Sequence, residues 1–255
     1  MLANIQIQTI AVTYLALLFS LSVHESAHAA SAYWLEDDTA KRLGRMTLNP
    51  LPHIDLLGTL LLPLLGMFTG WRVLGWAKPV PVDPRNLTRK FTQRTGMAIV
   101  AGAGPMSNLL LSLLCIPLLA MAIRIFADGL GLVHPVQTLE VFIGAVFWPT
   151  ESLFQGAGTN IGLPFLLSLL GKMIIINIGL AIFNLLPFGP LDGASIMRGF
   201  LPWKMVPTFD RVQPTLAILV LVLFFVGGIK YLLEPIFRAA IKYYILPLAQ
   251  LFLGV

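Results

Sequence analysis

The run His24-Glu25-Ser26-Ala27-His28 holds most of the chemistry this chain offers. Two histidines four apart project from one face of a helix, one turn from each other, so their rings can share a single metal ion. Glu25 adjoins the first of them, where a carboxylate can hold a water at that metal without being a ligand. All three stand at the end of an apolar run that begins near Ile5, where hydrocarbon is the solvent. Unpaired polar groups cost several kcal/mol each in such surroundings, and a zinc ion would compensate them. A structural zinc closes on four protein ligands, usually with cysteines, and would leave Glu25 without a task. The pattern points instead to a catalytic zinc.

Two histidines leave a catalytic zinc one protein ligand short. Candidates for the third are Asp192 in GPLDGA, His53 and Asp55 in PHID, and the acidic trio Glu36, Asp37 and Asp38. The trio reads as a solvated helix end in the headgroup region. Asp192 is preferred: it follows a helix break in an apolar context, on the side of the membrane where the topology below puts His24 and His28.

The elements that position these groups must be membrane helices. The chain is 57% hydrophobic and 11% charged, with mean hydropathy +0.83, and several windows exceed the roughly 18 apolar residues that cross a bilayer. The single cysteine, Cys115, excludes an internal disulfide and a Cys-rich zinc site, and reads as a small buried hydrophobe. A net charge of +5 does not call for nucleic acid, because the basic residues cluster in loops beside apolar segments. The first window, about Ile5 to Leu35, lacks the basic start and cleavage site of a signal peptide and reads as a retained transmembrane helix.

Residues 1–23 carry no charge, whereas Lys41, Arg42 and Arg45 follow the first helix, so the amino terminus is expected outside and this loop in the cytosol. Arg72, Lys78, Arg85, Arg89, Lys90 and Arg94 follow the apolar segment 53–69 and also require the cytosol. That segment, interrupted by Pro63 and Gly66, therefore reads as re-entrant, flanked by short exposed strands around 46–55 and 71–82. A long helix from Gly96 to about Phe126 leads outward, with Ala98 and Gly102 as small contact residues. An external stretch, 129–171, contains Glu140, Glu151 and His134 but no Lys or Arg. Leu163 to Leu186 returns inward and breaks at NLLPFGPLDG, Arg198, Lys204 and Arg211 mark another cytosolic loop, and Thr215 to Leu233 goes out again. The tail after Pro235 is a last span or an interfacial helix. Trp34, Trp71, Trp76 and Trp148 read as interface anchors. The expectation is an all-α polytopic membrane protein of about five or six transmembrane helices, with re-entrant and short β-strand elements near the active site. It forms one membrane-embedded domain, 1–255, with a core of about 5–213 and a C-terminal span and tail, 214–255.

HESAH in the first helix, then NPLPHIDLLGTLLLP, GWAKPVPVDPRN, AGPMSN and NLLPFGPLDG, together resemble the site-2 proteases, intramembrane zinc metalloproteases. The resemblance covers about residues 20–200 and is to the short prokaryotic branch with neither a PDZ nor a CBS domain. It implies one zinc per chain held by His24, His28 and Asp192, with Glu25 as catalytic base. It also matches Asn184 and Pro187 to the Asn-x-x-Pro before Leu-Asp-Gly, and Asn108 to the polar residue after the middle Gly-Pro. These three are candidates for substrate or oxyanion contacts, with the rival readings of a helix cap and an interhelical hydrogen bond. His53 joins them as a candidate, with fixing its own loop as the plainer role. Ala194 departs from the second glycine of many members.

The resulting expectation is a zinc endopeptidase of the cell membrane, active site toward the cytosol, that cuts a transmembrane protein substrate near its cytosolic end. The competing class is a non-catalytic zinc protein or metal transporter. A transporter would show further acidic or His residues along a path through the other helices, which are nearly bare of them.

Overall fold

The computed structural model describes residues 2–69, 75–126, 135–147 and 162–254. Arg72, Trp71, His134, Trp148, Glu151 and Gly156 lie outside the described residues. Within them the chain is helical with no strand. That is the outcome hydrocarbon imposes: a backbone without water must satisfy its own N–H and C=O groups, and a single helix does so within itself. Among the described residues, five helical runs are long and apolar enough to cross a membrane: Gln8–Trp34, Gln93–Ile125, Gly162–Asn184, Trp203–Phe225 and Ile229–Leu253. The protein is accordingly a polytopic membrane protein. Leu15, Phe19, Leu110, Leu114, Ile218 and Phe225 are exposed on these runs, an arrangement suited to lipid rather than water.

Contacts divide the chain into two compact units. The first comprises Met1–Ser20, Leu109–Gly179 and Ile236–Val255. Its helices approach closely where side chains are small: a Cβ on Gly171 would lie 2.1 Å from the carbonyl oxygen of Ala145. Polar residues act as internal glue, Asn177 donating to Ser20 Oγ at 2.8 Å and Tyr244 donating to the Leu109 carbonyl at 2.9 Å.

The second unit, Leu21–Asn108 with Leu180–Pro235, contains every residue of the candidate site. Helix α1, Leu2–Trp34, ends in a Schellman turn: Glu36 takes φ 77°, Asp37 N–H donates to Ala32 O and Glu36 N–H to Tyr33 O. The short helix α2, Thr39–Arg42, closes the same way through Gly44 at φ 67°, which leaves Arg45 N–H on Ala40 O. Leu51–His53 form one 3-10 turn. The apolar segment after it is helical throughout, wound with π geometry over Leu56–Leu61 and as helix α3 over Leu62–Thr69. Asp55 caps this segment by accepting from Leu57 N and Gly58 N, while Thr59 Oγ1 accepts from Asp55 N.

The strands expected around 46–55 and 71–82 are not formed among the described residues. Pro50, Pro52, Pro79 and Pro81 each remove a ladder donor, and residues 75–83 run as irregular chain tied down bond by bond. A second departure concerns the acidic trio. Asp37 is fully buried, accepting from Thr39 N and Oγ1, Asn86 Nδ2 and Asp83 N. Together with Thr88 N–H on Leu35 O and the apolar cluster Ala32, Leu35, Leu87 and Val100, it fastens the loop 80–90 to the end of α1.

Helix α4 spans Gln93–Ile125, α5 Pro135–Phe147 and α6 Gly162–Asn184. Helix α7, Asp192–Phe200, begins on Asp192 itself, and α8 covers Val206–Phe225. The chain then turns at Gly227, φ 77°, into α9, Ile229–Ala240, a π turn at Ile241–Ile245 and α10, Leu246–Leu253. The break expected at Pro235 thus falls at 226–228, because glycine supplies the left-handed residue while Pro235 is accommodated inside α9.

Candidate metal centre

His24 and His28 point inward from α1, 5% and 9% exposed. Their rings meet edge to face with centroids 4.6 Å apart. His28 Nδ1 lies 2.8 Å from the Val100 carbonyl, which can only accept, so the proton sits on Nδ1 and the Nε2 lone pair is free. His24 Nδ1 lies 2.6 Å from Asn108 Oδ1, which assigns the same tautomer. The two Nε2 atoms then face each other 3.0 Å apart. Asp192 closes the group, Oδ2 3.2 Å from His24 Nε2 and Oδ1 3.4 Å from His28 Nε2.

Two lone pairs and a carboxylate pressed together repel one another unless a cation lies between them. Asp192 Oδ2 is buried with no hydrogen-bond partner, although an imidazole nitrogen is within reach. A tetrahedral zinc with ligands at roughly 2.0–2.1 Å has ligand-to-ligand edges of roughly 3.3–3.4 Å, close to the separations seen here. The donor set therefore fits zinc, and His24, His28 and Asp192 are the metal-competent group among the described residues.

The backbone makes room for this group at two glycines. A Cβ on Gly104 of α4 would lie 2.5 Å from His24 Cε1 and from His28 Cε1 and Nε2, so only glycine lets this helix lie against both rings. A Cβ on Gly193 would lie 2.3 Å from Leu186 O and 2.4 Å from Leu185 O, which seats Asp192 tightly on the end of α6. At the first position of α7, Asp192 also has the helix dipole in favour of its charge. Gln213 of α8 holds the connecting turn, accepting from Gly189 N at 2.6 Å and donating to Pro187 O at 3.3 Å.

Glu25 is buried beside the group, and its Oε2 accepts from Val80 N at 3.0 Å. Among the remaining sequence candidates, Asn108 touches His24, whereas Asn184 donates to Leu180 O in its own helix at 3.0 Å. Pro187 contributes its carbonyl to Gln213. His53 is buried away from the group and donates from Nε2 to Thr47 O at 2.8 Å, and Asp55 is the cap described above. Ala194 lies inside α7 without a left-handed φ and needs no glycine. A Cβ on Gly102 would meet nothing within 4 Å, so the tight small-residue contact belongs to Gly104, while Ala98 does pack closely, against Gly199. Sequence reasoning passed over Gly104 although it lies within AGPMSN. Nothing in the sequence marks the Val100 carbonyl.

Helices of bilayer length and this metal-competent group fit the class of membrane-embedded metalloenzymes. The family model described as peptidase family M50 matches residues 12–227, and the chain belongs to this family, that of the site-2 proteases. It is 33% identical over 228 residues to a Bacillus subtilis (strain 168) protein described as "Putative zinc metalloprotease YwhC", covering 88% of this chain and 85% of that one. No solved structure matches. The protein is a membrane zinc metalloprotease.

Proposed function

We propose that the protein is an intramembrane endopeptidase that hydrolyses a peptide bond in the transmembrane segment of another membrane protein, near its cytosolic end, with one zinc per chain held by His24, His28 and Asp192. The observation that carries this reading is the convergence of two Nε2 lone pairs and an unpartnered carboxylate oxygen, with Glu25 alongside but outside the set. Zinc in this position supplies a Lewis acid that lowers the pKa of water and polarises a carbonyl. Glu25 is the general base: with Oε2 held by Val80 N, Oε1 takes the proton from the attacking water and later delivers it to the leaving amine nitrogen. Asn108 and the Val100 carbonyl keep both imidazoles in the ligating tautomer.

A substrate helix hides its carbonyls in its own hydrogen bonds and must unwind before one can react. The irregular chain at 75–83 is the proposed docking edge for the freed backbone. Its donors at Trp76, Lys78 and Val80 are committed to Gly58 O, His53 O and Glu25, and Pro79 and Pro81 have none. The carbonyls of Trp76, Lys78 and Pro79 are likewise taken, by Thr59 Oγ1 and Arg45 Nη2, so docking of an unwound substrate here requires some of these bonds to open.

The test uses purified protein, a single-span substrate and a zinc assay. Glu25→Gln is expected to abolish cleavage while zinc stays bound, and Asp192→Ala to lower zinc and activity together. His53→Ala should leave zinc unchanged. Loss of metal in Glu25→Gln with folding intact, or in His53→Ala but not Asp192→Ala, would sink the assignment.

A further inference from the structure

Accepting the peptidase reading, we infer that Arg45 is a positioning residue for the catalytic base, acting on Glu25 through one peptide plane. Arg45 is 8% exposed, yet its guanidinium meets carbonyls: Nη2 donates to Lys78 O at 2.6 Å and to Pro79 O at 3.3 Å. Its Nε is buried without a hydrogen-bond partner among the described residues. Burying a cation this way is costly, and the contacts it keeps all lie on one short stretch of chain.

That stretch is the one that touches Glu25. The carbonyl of Pro79 and the N–H of Val80 are the two ends of a single planar unit, and the N–H end donates to Glu25 Oε2 at 3.0 Å. A charged donor on the oxygen polarises the amide and strengthens the bond its N–H makes. It also fixes the orientation of the plane. The prolines at 79 and 81 hold their own φ angles and keep Lys78 and Val80 extended, so the rotation left about Pro79 is what Arg45 restrains.

Both ends of the linkage are anchored. Arg45 is placed by the Schellman turn at Gly44, whose left-handed φ of 67° sets the backbone from which the side chain leaves. The extended chain is fixed just before the plane by Trp76 N–H on Gly58 O, Thr59 Oγ1 on Trp76 O and Lys78 N–H on His53 O. His53 in turn holds Thr47 O, which also accepts from Ser26, the neighbour of Glu25. The sequence alone assigns Arg45 to membrane topology, since a basic residue after a first helix has that role by default.

The experiment compares the wild-type chain with Arg45→Ala, Arg45→Lys, Val80→Pro and the double variant Arg45→Ala/Val80→Pro, all in proteoliposomes with a single-span substrate. Readouts are kcat and KM separately, bound zinc, and hydrogen–deuterium exchange of the 76–83 peptide. Arg45→Ala should lower kcat about tenfold or more, the worth of a charge-assisted hydrogen bond, with the loss in kcat exceeding any rise in KM that comes from loosening the proposed docking edge. Zinc should be unchanged, Arg45→Lys should restore part of the rate, and exchange at 76–83 should rise while that of residues 21–34 does not. Val80→Pro, which removes the N–H donor and also fixes φ at 80, should cost at least as much as Arg45→Ala, and the double variant should be no worse than Val80→Pro alone. A kcat within about twofold of wild type, multiplied effects in the double variant, or loss of zinc in Arg45→Lys would overturn the inference. If the wild type cleaves nothing, the peptidase reading fails by itself, and exchange then decides: an unchanged 76–83 peptide in Arg45→Ala overturns the role of Arg45.

Discussion

The residues that shape the metal centre do so mostly by restraint. His24 and His28, the proposed ligands, are held in the metal-competent tautomer because Asn108 and the Val100 carbonyl occupy their other nitrogens. Asn108→Ala is therefore expected to weaken zinc binding about 10–100-fold, the usual cost of losing a partner behind a metal-ligating histidine, read by competition with a chelator. Gly104 acts by having no side chain. Gly104→Ala puts a methyl 2.5 Å from both rings and should strip zinc from the purified protein. Gly102→Ala, two residues earlier in the same helix with open space beside it, should keep full occupancy and raise stability by about 0.5–1 kcal/mol in thermal unfolding. Equal zinc loss in both would mean that α4 tolerates no alanine there and that the contact with the rings is not the cause.

Among the elements, the turn after α1 does the most to build the site, because it ties the loop bearing Val80 to the helix bearing Glu25. Asp37 is its centre. Burial pushes the Asp37 carboxyl up, but the donors from Thr39, Asp83 and Asn86 outweigh it and hold the group below the ordinary value of 3.8. A carboxyl lowered by folding adds stability that is complete above 3.8 and is lost as pH falls through its lower folded value. Asp37→Asn is accordingly expected to cost about 1–3 kcal/mol near neutral pH, with the gap from wild type narrowing as pH drops below 3.8. Unfolding followed from pH 7 downward checks this, and a gap that widens toward acid would refute it. Helix α8 is the contrasting element. None of its apolar window is buried in the protein, yet Gln213 and the Arg198–Asp210 ion pair fasten its base to the turn and helix that carry Asp192.

For the whole molecule the decisive matter is orientation. His24 and His28 lie about two turns before the end of α1, and Asp192 follows the end of α6, so the loops after both helices must share a compartment for the group to form. Arg42, Arg89 and Lys204 lie after these helices, and the proposed orientation, argued from their positive charge, has them in the cytosol. Single cysteines near these three, with Cys115 replaced, should all be labelled from the cytosolic side, and a cysteine near Gly156 only from outside. Labelling that separates Arg42 from Lys204 would contradict the proposed orientation and the convergence at the site together.

What the sequence by itself determined was the class and the chemistry. Apolar length requires helices in hydrocarbon, and two histidines at a spacing of four with a carboxylate between them speak for a shared metal, because both signals are local and periodic. The loop charges and the motif around it also pointed to Asp192, which the fold brings against the two histidines. Only the tertiary structure decided the rest, since it depends on groups with no local signature. The Val100 carbonyl sets a tautomer, Gly104 clears a path for two rings, and Asp37 is buried where a run of three acids at a helix end reads as solvated. The proline-rich chain at 75–83 has the composition of an edge strand, but its donors go singly to Gly58, His53 and Glu25. Where a backbone N–H finds its partner across 55 residues of chain is a property of packing, and no spacing along the sequence encodes it.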